Sequence, residues 1–334
     1  MVKILTVVNL VEESGGYTQA ELLAKHLGSP MINFLPVGRG DKVMQTEIDG
    51  IIAYYPAKSL YGAIKALAPD VLLVHTPSTN LCSELHEIKK LCKVIYVCHA
   101  NLYEFLLTDS MRMYIKYMIY LMDDADLIIS VSDEQRKLLE QITDNKIVMI
   151  PPAVEYEQLK RVETYPREKE FMLVGRLSPI KNHLTPIIAM KRISKEYPNS
   201  FLKIFGSGLL DTFYREILGV MKLESNVNLF NNVSHNEIIT ELCHSSALVN
   251  SSISENESVA ILEAKALGIP VISGYSFSPD GYYKEMKDLI EDYDSFRRLA
   301  EESRETVKSY DVENICKRYK KICQNVVVAD VERK

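Results

Sequence analysis

The chain has 334 residues, 47% apolar and 25% charged, with a formal net charge of −6. These ordinary globular values exclude a disordered or fibrous chain and give no electrostatic reason to expect a nucleic-acid partner. No apolar run is long enough to span a bilayer, and Lys3-Ile4-Leu5-Thr6-Val7-Val8 reads as a strand rather than a leader. The six cysteines (Cys82, Cys92, Cys98, Cys243, Cys316 and Cys323) form no C-x-x-C pair, so reduced thiols in a cytoplasmic protein are expected.

In the first half, β-branched runs at 3–9, 31–35, 50–54, 70–75, 93–99, 126–130 and 146–150 alternate with helical patterns at 18–27, 59–67, 81–91, 110–122 and 133–142. That alternation predicts a parallel sheet covered on both faces. Gly15-Gly16 follows the first strand, as an ordinary turn or as a place where backbone N–H groups approach a phosphate or sugar. The pattern is not G-x-G-x-x-G, so no dinucleotide fingerprint is present. His75 and His99 each end a predicted strand, a position that suits a hydrogen-bonded structural residue as well as a catalytic one. Ser132 with Gln135 reads as a capping box. The segment 103–122, rich in Met, Tyr and Leu with Arg112 and Lys116 among them, fits a helix on a membrane surface or a buried helix. Its few cations favour the buried reading. From Pro151-Pro152 to 170 the chain is charged and aperiodic and reads as a linker between a first domain, 1–150, and a second, 171–309.

The second set has strands at 171–174, 201–205, 226–230, 247–251 and 271–273, with helices at 183–196, 209–221, 235–243 and 258–267. From 282 to 328 the pattern is nearly all helical. The expected class is α/β, two doubly wound Rossmann-like domains facing across a cleft, with ligands at the carboxyl ends of the strands. Arg176 and Lys181 leave the first strand of the second domain in one loop. Such a pair can clamp a diphosphate, Arg by its fork and Lys as a point charge, or can simply be solvated. Gly206-Ser207-Gly208 after the next strand is a tight turn or room for a nucleotide.

The stretch 251–274 packs loop, helix and strand together. Ser254 and Glu257 have capping-box spacing, Val259, Leu262 and Ala266 form an apolar stripe, and Gly268 with Pro270 ends the helix before Val271-Ile272. Glu255 and Glu263 bracket the expected helix start. The helix dipole alone favours a carboxylate near such a terminus. Glu263, inside the helix among apolar neighbours, needs a partner, and a ligand hydroxyl can be one. No H-E-x-x-H, paired His/Cys ligand set or D-x-D is present, so no metal site is expected, and no G-x-S-x-G supports a serine nucleophile.

Together these residues resemble the family 4 retaining glycosyltransferases of the GT-B fold, over nearly the whole chain and most strongly from Phe171 to Ser273. Val174-Gly175-Arg176-Leu177-Ser178-Pro179-Ile180-Lys181-Asn182 looks like that family's diphosphate loop, which implies Arg176 and Lys181 on the leaving nucleotide diphosphate. Glu255-x7-Glu263 matches its paired-glutamate motif, which implies Glu255 at the donor-sugar hydroxyls and Glu263 at the ribose. Gly15-Gly16 and His99 occupy positions similar to its glycine loop and sugar-facing histidine, and the segment through Asn232, Val233 and Ser234-His235-Asn236-Glu237 resembles its base-holding region. Gly206, Ser258 and Val259 complete the implied donor site. The final helix, about 310–328, resembles the family's segment that crosses back onto the first domain.

Two departures stand out. Asn256-Glu257-Ser258 replaces the usual Gly-Phe-Gly, which adds a negative charge unless Glu257 serves as the cap. At Ser273/Gly274 a Gly-Gly-x-x-Glu loop is absent, and Gly274 to Asp280 resembles the strand that usually follows it. The resemblance implies transfer of a sugar from a nucleotide diphosphate, UDP-linked by preference, to a hydroxyl of a glycan, lipid-linked or protein-linked acceptor. It implies no metal or other cofactor, no protein general base, and peripheral contact with the inner face of a membrane at most. The alternatives are a sugar-nucleotide epimerase of the same architecture and a catalytically inactive glycosyltransferase-like subunit.

Overall fold

The computed structural model describes residues 2–8, 15–33, 44–48, 51–55, 59–104, 112–274 and 277–331. The chain divides into two compact units, Met1–Ala153 with Val312–Lys334, and Val154–Asp311. Each is a doubly wound α/β unit.

In the first unit eight strands lie in the order β3-β4-β2-β1-β5-β6-β7-β8. They are β1 Ile4–Val8, β2 Met31–Asn33, β3 Met44–Ile48, β4 Ile51–Tyr55, β5 Val71–Val74, β6 Lys93–Cys98, β7 Leu127–Ser130 and β8 Ile147–Met149. All pairs are parallel except β3 with β4, an antiparallel pair at the edge. The sequence reading missed β3, because Met44-Gln45-Thr46-Glu47-Ile48 carries weak strand signals and is held by its partner's ladder. The interior strands are buried on both faces, which is why they read as unbroken apolar runs. Along β6, Val94, Tyr96 and Cys98 enter one core and Ile95 and Val97 the other, as the two-residue period requires.

The first of these cores is covered by α2 (Leu60–Leu67), α3 (Thr79–Ile88), α4 (Arg112–Asp124) and α5 (Asp133–Leu139). Met118, Leu121 and Met122 of α4 lie in it, while Lys116, Ile119 and Tyr120 are exposed. The buried reading of this helix therefore holds for one face. The other core receives Leu23 of α1 (Gly15–Leu27). It also takes Ile315, Cys316, Tyr319 and Cys323, so the last helix belongs with the first unit.

In the second unit β9 (Glu170–Val174), β10 (Phe201–Phe205), β11 (Val227–Phe230), β12 (Ala247–Val249) and β13 (Val271–Ile272) form a parallel sheet in the order β11-β10-β9-β12-β13. The helices of this unit are α6 (Tyr156–Leu159), α7 (Leu184–Glu196), α8 (Asp211–Met221), α9 (His235–Cys243), α10 (Val259–Ala266), α11 (Pro279–Glu291) and α12 (Tyr293–Ser303). After a 3-10 segment, Arg304–Tyr310, the chain returns to the first unit through α13 (Val312–Val331).

The stretch read as a linker is not one beyond Ala153. Val154 bridges Asp311, and its N–H donates to the Tyr310 carbonyl at 3.0 Å. Tyr156 is buried, and its hydroxyl donates to Glu305 at 2.9 Å. Burying one tyrosine anchors a segment whose prolines and charges resemble a linker. The strand expected from Gly274 falls partly outside the described residues, and among those described no strand follows Gly274. Residues 275 and 276 lie outside the described set, Phe277 is exposed, and the Ser278 hydroxyl caps α11.

Candidate active site

A doubly wound sheet leaves a crevice where the strand order reverses, at the carboxyl ends of the two strands that part there. In the second unit these are β9 and β12. The loop after β9 contains a 3-10 turn, Pro179–Lys181, ended by Asn182 at φ +50°. The loop after β12 is tied to it: the Ile253 N–H donates to the Ile180 carbonyl and the Ser251 hydroxyl to the Lys181 carbonyl, both at 2.8 Å. The side chains then meet. Lys181 Nζ lies 2.5 Å from Glu255 Oε1, which also accepts from the Ser252 hydroxyl at 2.6 Å. Both ionised groups are about three-quarters covered, at 22% and 26% exposure. Arg176, on the same loop, is exposed.

The glycines of 206–208 have a structural reason that favours the tight-turn reading. A Cβ on Gly206 would stand 1.9 Å from the Gly175 carbonyl oxygen, and one on Gly208 would stand 2.6 Å from that of Leu177. The loop after β10 is pressed against the loop after β9, and the Leu177 N–H donates to the Ser207 carbonyl at 2.9 Å. Gly206 thus holds the Arg176–Lys181 loop in place through backbone contact. Asn232, at φ +56°, accepts from the Ser207 hydroxyl at 3.3 Å, and Val233 is half-buried beside it.

The start of α10 differs from the expectation. The helix begins at Val259 with Ser258 as its N-cap residue, so Ser254 and Glu257 do not form a capping box. Ser258 makes no side-chain cap; its hydroxyl accepts from the Asn250 amide at 3.2 Å. Ser258 therefore supplies no side-chain acceptor to the terminal N–H groups of α10, as a serine at that position commonly does. Glu257 takes part instead in a hydrogen bond with the Tyr310 hydroxyl. The capping box of this region is Ser234 with Glu237, at the start of α9. At the far end of α10 the expected stop is present: Gly268, at φ +66°, donates to Lys265, and Ile269 donates to Ala264.

Glu263 is buried in α10, with Oε1 2.7 Å from His235 Nε2. Sequence reasoning gave His235 no such role, because a contact across 28 positions leaves no local signal. It also missed His183, buried against Tyr214 with ring centroids 5.7 Å apart. Burial, with Lys181 nearby, pushes His183 down to about 3.

In the first unit the order reverses between β1 and β5, and His75 follows β5 there, its N–H donating to the Val7 carbonyl at 2.9 Å. His75 Nδ1 and His99 Nε2 are 2.8 Å apart, and the rings stack with centroids 5.0 Å apart. Burial holds His99 at about 4, and burial with His99 alongside holds His75 well below the usual range. Two neutral imidazoles result at neutral pH. Gly15-Gly16 forms the first turn of α1 rather than a preceding loop, and a Cβ on Gly16 would touch His99 Cβ at 3.5 Å. The structure therefore gathers Gly16, His75 and His99 in one unit, and Arg176, Lys181, Gly206, Glu255 and Glu263 in the other.

The model of the group 1 glycosyl transferases matches residues 155–322, half of the chain, and that of glycosyltransferase family 4 matches 38–158. The chain belongs to the family 4, group 1 glycosyltransferases. Among curated relatives of this family member, an uncharacterized glycosyltransferase of Methanocaldococcus jannaschii is 27% identical over 63% of this chain and 56% of its own. A phosphatidylinositol N-acetylglucosaminyltransferase subunit of Arabidopsis thaliana is 25% identical over 74% of this chain and 57% of its own. The chain thus spans a little over half the length of these relatives.

Solved structures share its GT-B fold at low identity. The sucrose-phosphate synthase of Thermosynechococcus elongatus matches with a TM-score of 0.77 at 13% identity, over 98% of this chain and all (100%) of that one. The pneumococcal O-GlcNAc transferase GtfA, solved with UDP and GlcNAc, matches with a TM-score of 0.73 at 13% identity, over 98% and 99%. Among the described residues no group of three or more His, Cys, Asp or Glu could hold a metal ion, and no helix is long and apolar enough to cross a membrane.

Proposed function

We propose that the protein transfers a sugar from a nucleotide diphosphate, UDP-linked by preference, to a hydroxyl of a glycan or lipid-linked acceptor, with retention at the anomeric carbon. The observation that carries this reading is the Lys181–Glu255 pair at the strand-order reversal, three residues before Ser258, which gives the α10 terminus no side-chain cap. As the glycosidic bond breaks, negative charge grows on the diphosphate and positive charge on the sugar ring. Arg176, Lys181 and the first N–H groups of α10 supply a fixed positive field for the first. Glu255, whose carboxylate is held by Lys181 and Ser252, accepts hydroxyl groups of the sugar. His99, neutral at working pH, acts as a hydrogen-bonding group rather than a charge. This arrangement calls on no protein general base and no metal, an expectation checked by full activity in EDTA.

Support for UDP comes from fold relatives whose structures hold it, and support for a lipid-linked acceptor from the phosphatidylinositol-modifying relative. A thermal-shift panel of UDP, GDP and their sugars tests the donor, because a ligand bound by the native state alone raises its apparent stability. Stabilisation by no nucleotide would refute the reading. Donor hydrolysis by the isolated protein separates an enzyme from an inactive subunit.

A further inference from the structure

A carboxylate as covered as that of Glu263, 8% exposed in its side chain, is stable in its charged form only with a partner. Its partner is His235, the first residue of α9, at 2.7 Å. An ionised carboxylate only accepts, so the imidazole must donate from Nε2. The root of that ring is fixed. The Ser234–Glu237 capping box locks the start of α9, with the Glu237 carboxylate accepting from the Ser234 N–H at 3.0 Å, and Asn232 turns the chain before it at φ +56°. The His235 side chain is 43% exposed, so it lies at the solvent-facing edge of a carboxylate that is otherwise enclosed.

We propose that His235 is a positioning residue that sets ribose recognition. By holding Oε1, its Nε2–H fixes the rotamer of the Glu263 carboxylate and orients the remaining acceptor positions toward the vicinal hydroxyls of a nucleotide ribose. This rests on the nucleotide-sugar reading above, with Glu263 at the ribose, and adds the group that makes Glu263 selective. A carboxylate free to rotate would still attract a hydroxyl, but without a fixed direction it would discriminate less between a ribose and its deoxy analogue. A hydrogen bond to a charged acceptor is worth about ten- to a hundred-fold in affinity, which sets the scale of that discrimination.

The test is calorimetric titration of the whole chain with UDP and 2′-deoxy-UDP, and with GDP and 2′-deoxy-GDP. The variants are His235→Ala and His235→Gln, whose amide can donate from nearly the same place as Nε2. The wild type is expected to prefer the ribonucleotide by about ten- to a hundred-fold. His235→Ala should lose most of that preference and raise the donor KM with little change in kcat, and His235→Gln should recover much of it. A purely structural role would lower melting temperature and affinity for both nucleotides together and leave their ratio intact. An alanine variant that keeps the preference in full would overturn the assignment of His235 alone, and a wild type that binds UDP or GDP without preference would overturn Glu263 at the ribose as well. A wild type that binds neither nucleotide would overturn the glycosyltransferase reading and this one with it.

Discussion

Replacing Gly206 by alanine puts the loop geometry to a quantitative test. The new Cβ would lie 1.9 Å from the Gly175 carbonyl oxygen and 2.8 Å from its carbon. An ordinary contact needs about 3.5 Å, so the carbonyl must retreat by about 1.5 Å. Both groups are backbone and cannot rotate away. The bonds at risk are Gly175 N–H to the Phe205 carbonyl, 3.0 Å, and Leu177 N–H to the Ser207 carbonyl, 2.9 Å. Overpacking of this kind costs about 1–3 kcal/mol, and one broken backbone hydrogen bond adds about 1 kcal/mol. At about 2–4 °C per kcal/mol for a unit of this size, melting should fall by about 5–15 °C. Gly15→Ala is the control, since a Cβ there meets nothing within 4 Å. Calorimetric melting of both variants, with nucleotide affinity measured alongside, is the assay. A Gly206→Ala protein that melts within about 2 °C of the wild type would refute the argument that this loop is held by backbone contact.

Other outcomes follow from the same geometry. Lys181→Ala and Glu255→Ala should each lower sugar transfer by about a hundred- to a thousand-fold, the scale of one electrostatic stabiliser, while circular dichroism stays native; wild-type rates with either would remove both from the site. His99 and His183, held at about 4 and about 3, are neutral in the fold but charge near 6.5 when unfolded. The unfolded chain therefore binds more protons below that pH, and stability present above pH 6.5 should be lost progressively toward pH 4. Melting against pH should show this limb, and His183→Gln should flatten it. Ser234→Ala removes a paired capping box and should cost about 1 kcal/mol, read as a lower midpoint in urea with an unchanged slope.

The likeness to the family was legible because its signals are local. The segment 174–182 and the two glutamates are short spacings that survive in one dimension, and strand runs such as Val71–Val74 are apolar because both faces are covered. The capping box went to the wrong serine for an instructive reason. Ser254-x-x-Glu257 and Ser234-x-x-Glu237 are equivalent as patterns, but Glu257 is drawn to Tyr310 and α10 starts later. Local propensity offers a cap at both serines, and the residue at which each helix starts determines which pattern is used.

By itself the sequence determined the class of fold, the two sets of alternating strands and helices, and the residue types at the donor loop. Those follow from the periodicity of burial and from spacings of a few residues. Only the tertiary structure decided that the chain belongs to the second unit from Val154 onward, that Gly206 is required by the backbone of Gly175, and that Glu263 is held by His235. Each is a contact between residues far apart in the chain. Such contacts depend on sheet order and helix packing, which no local pattern encodes.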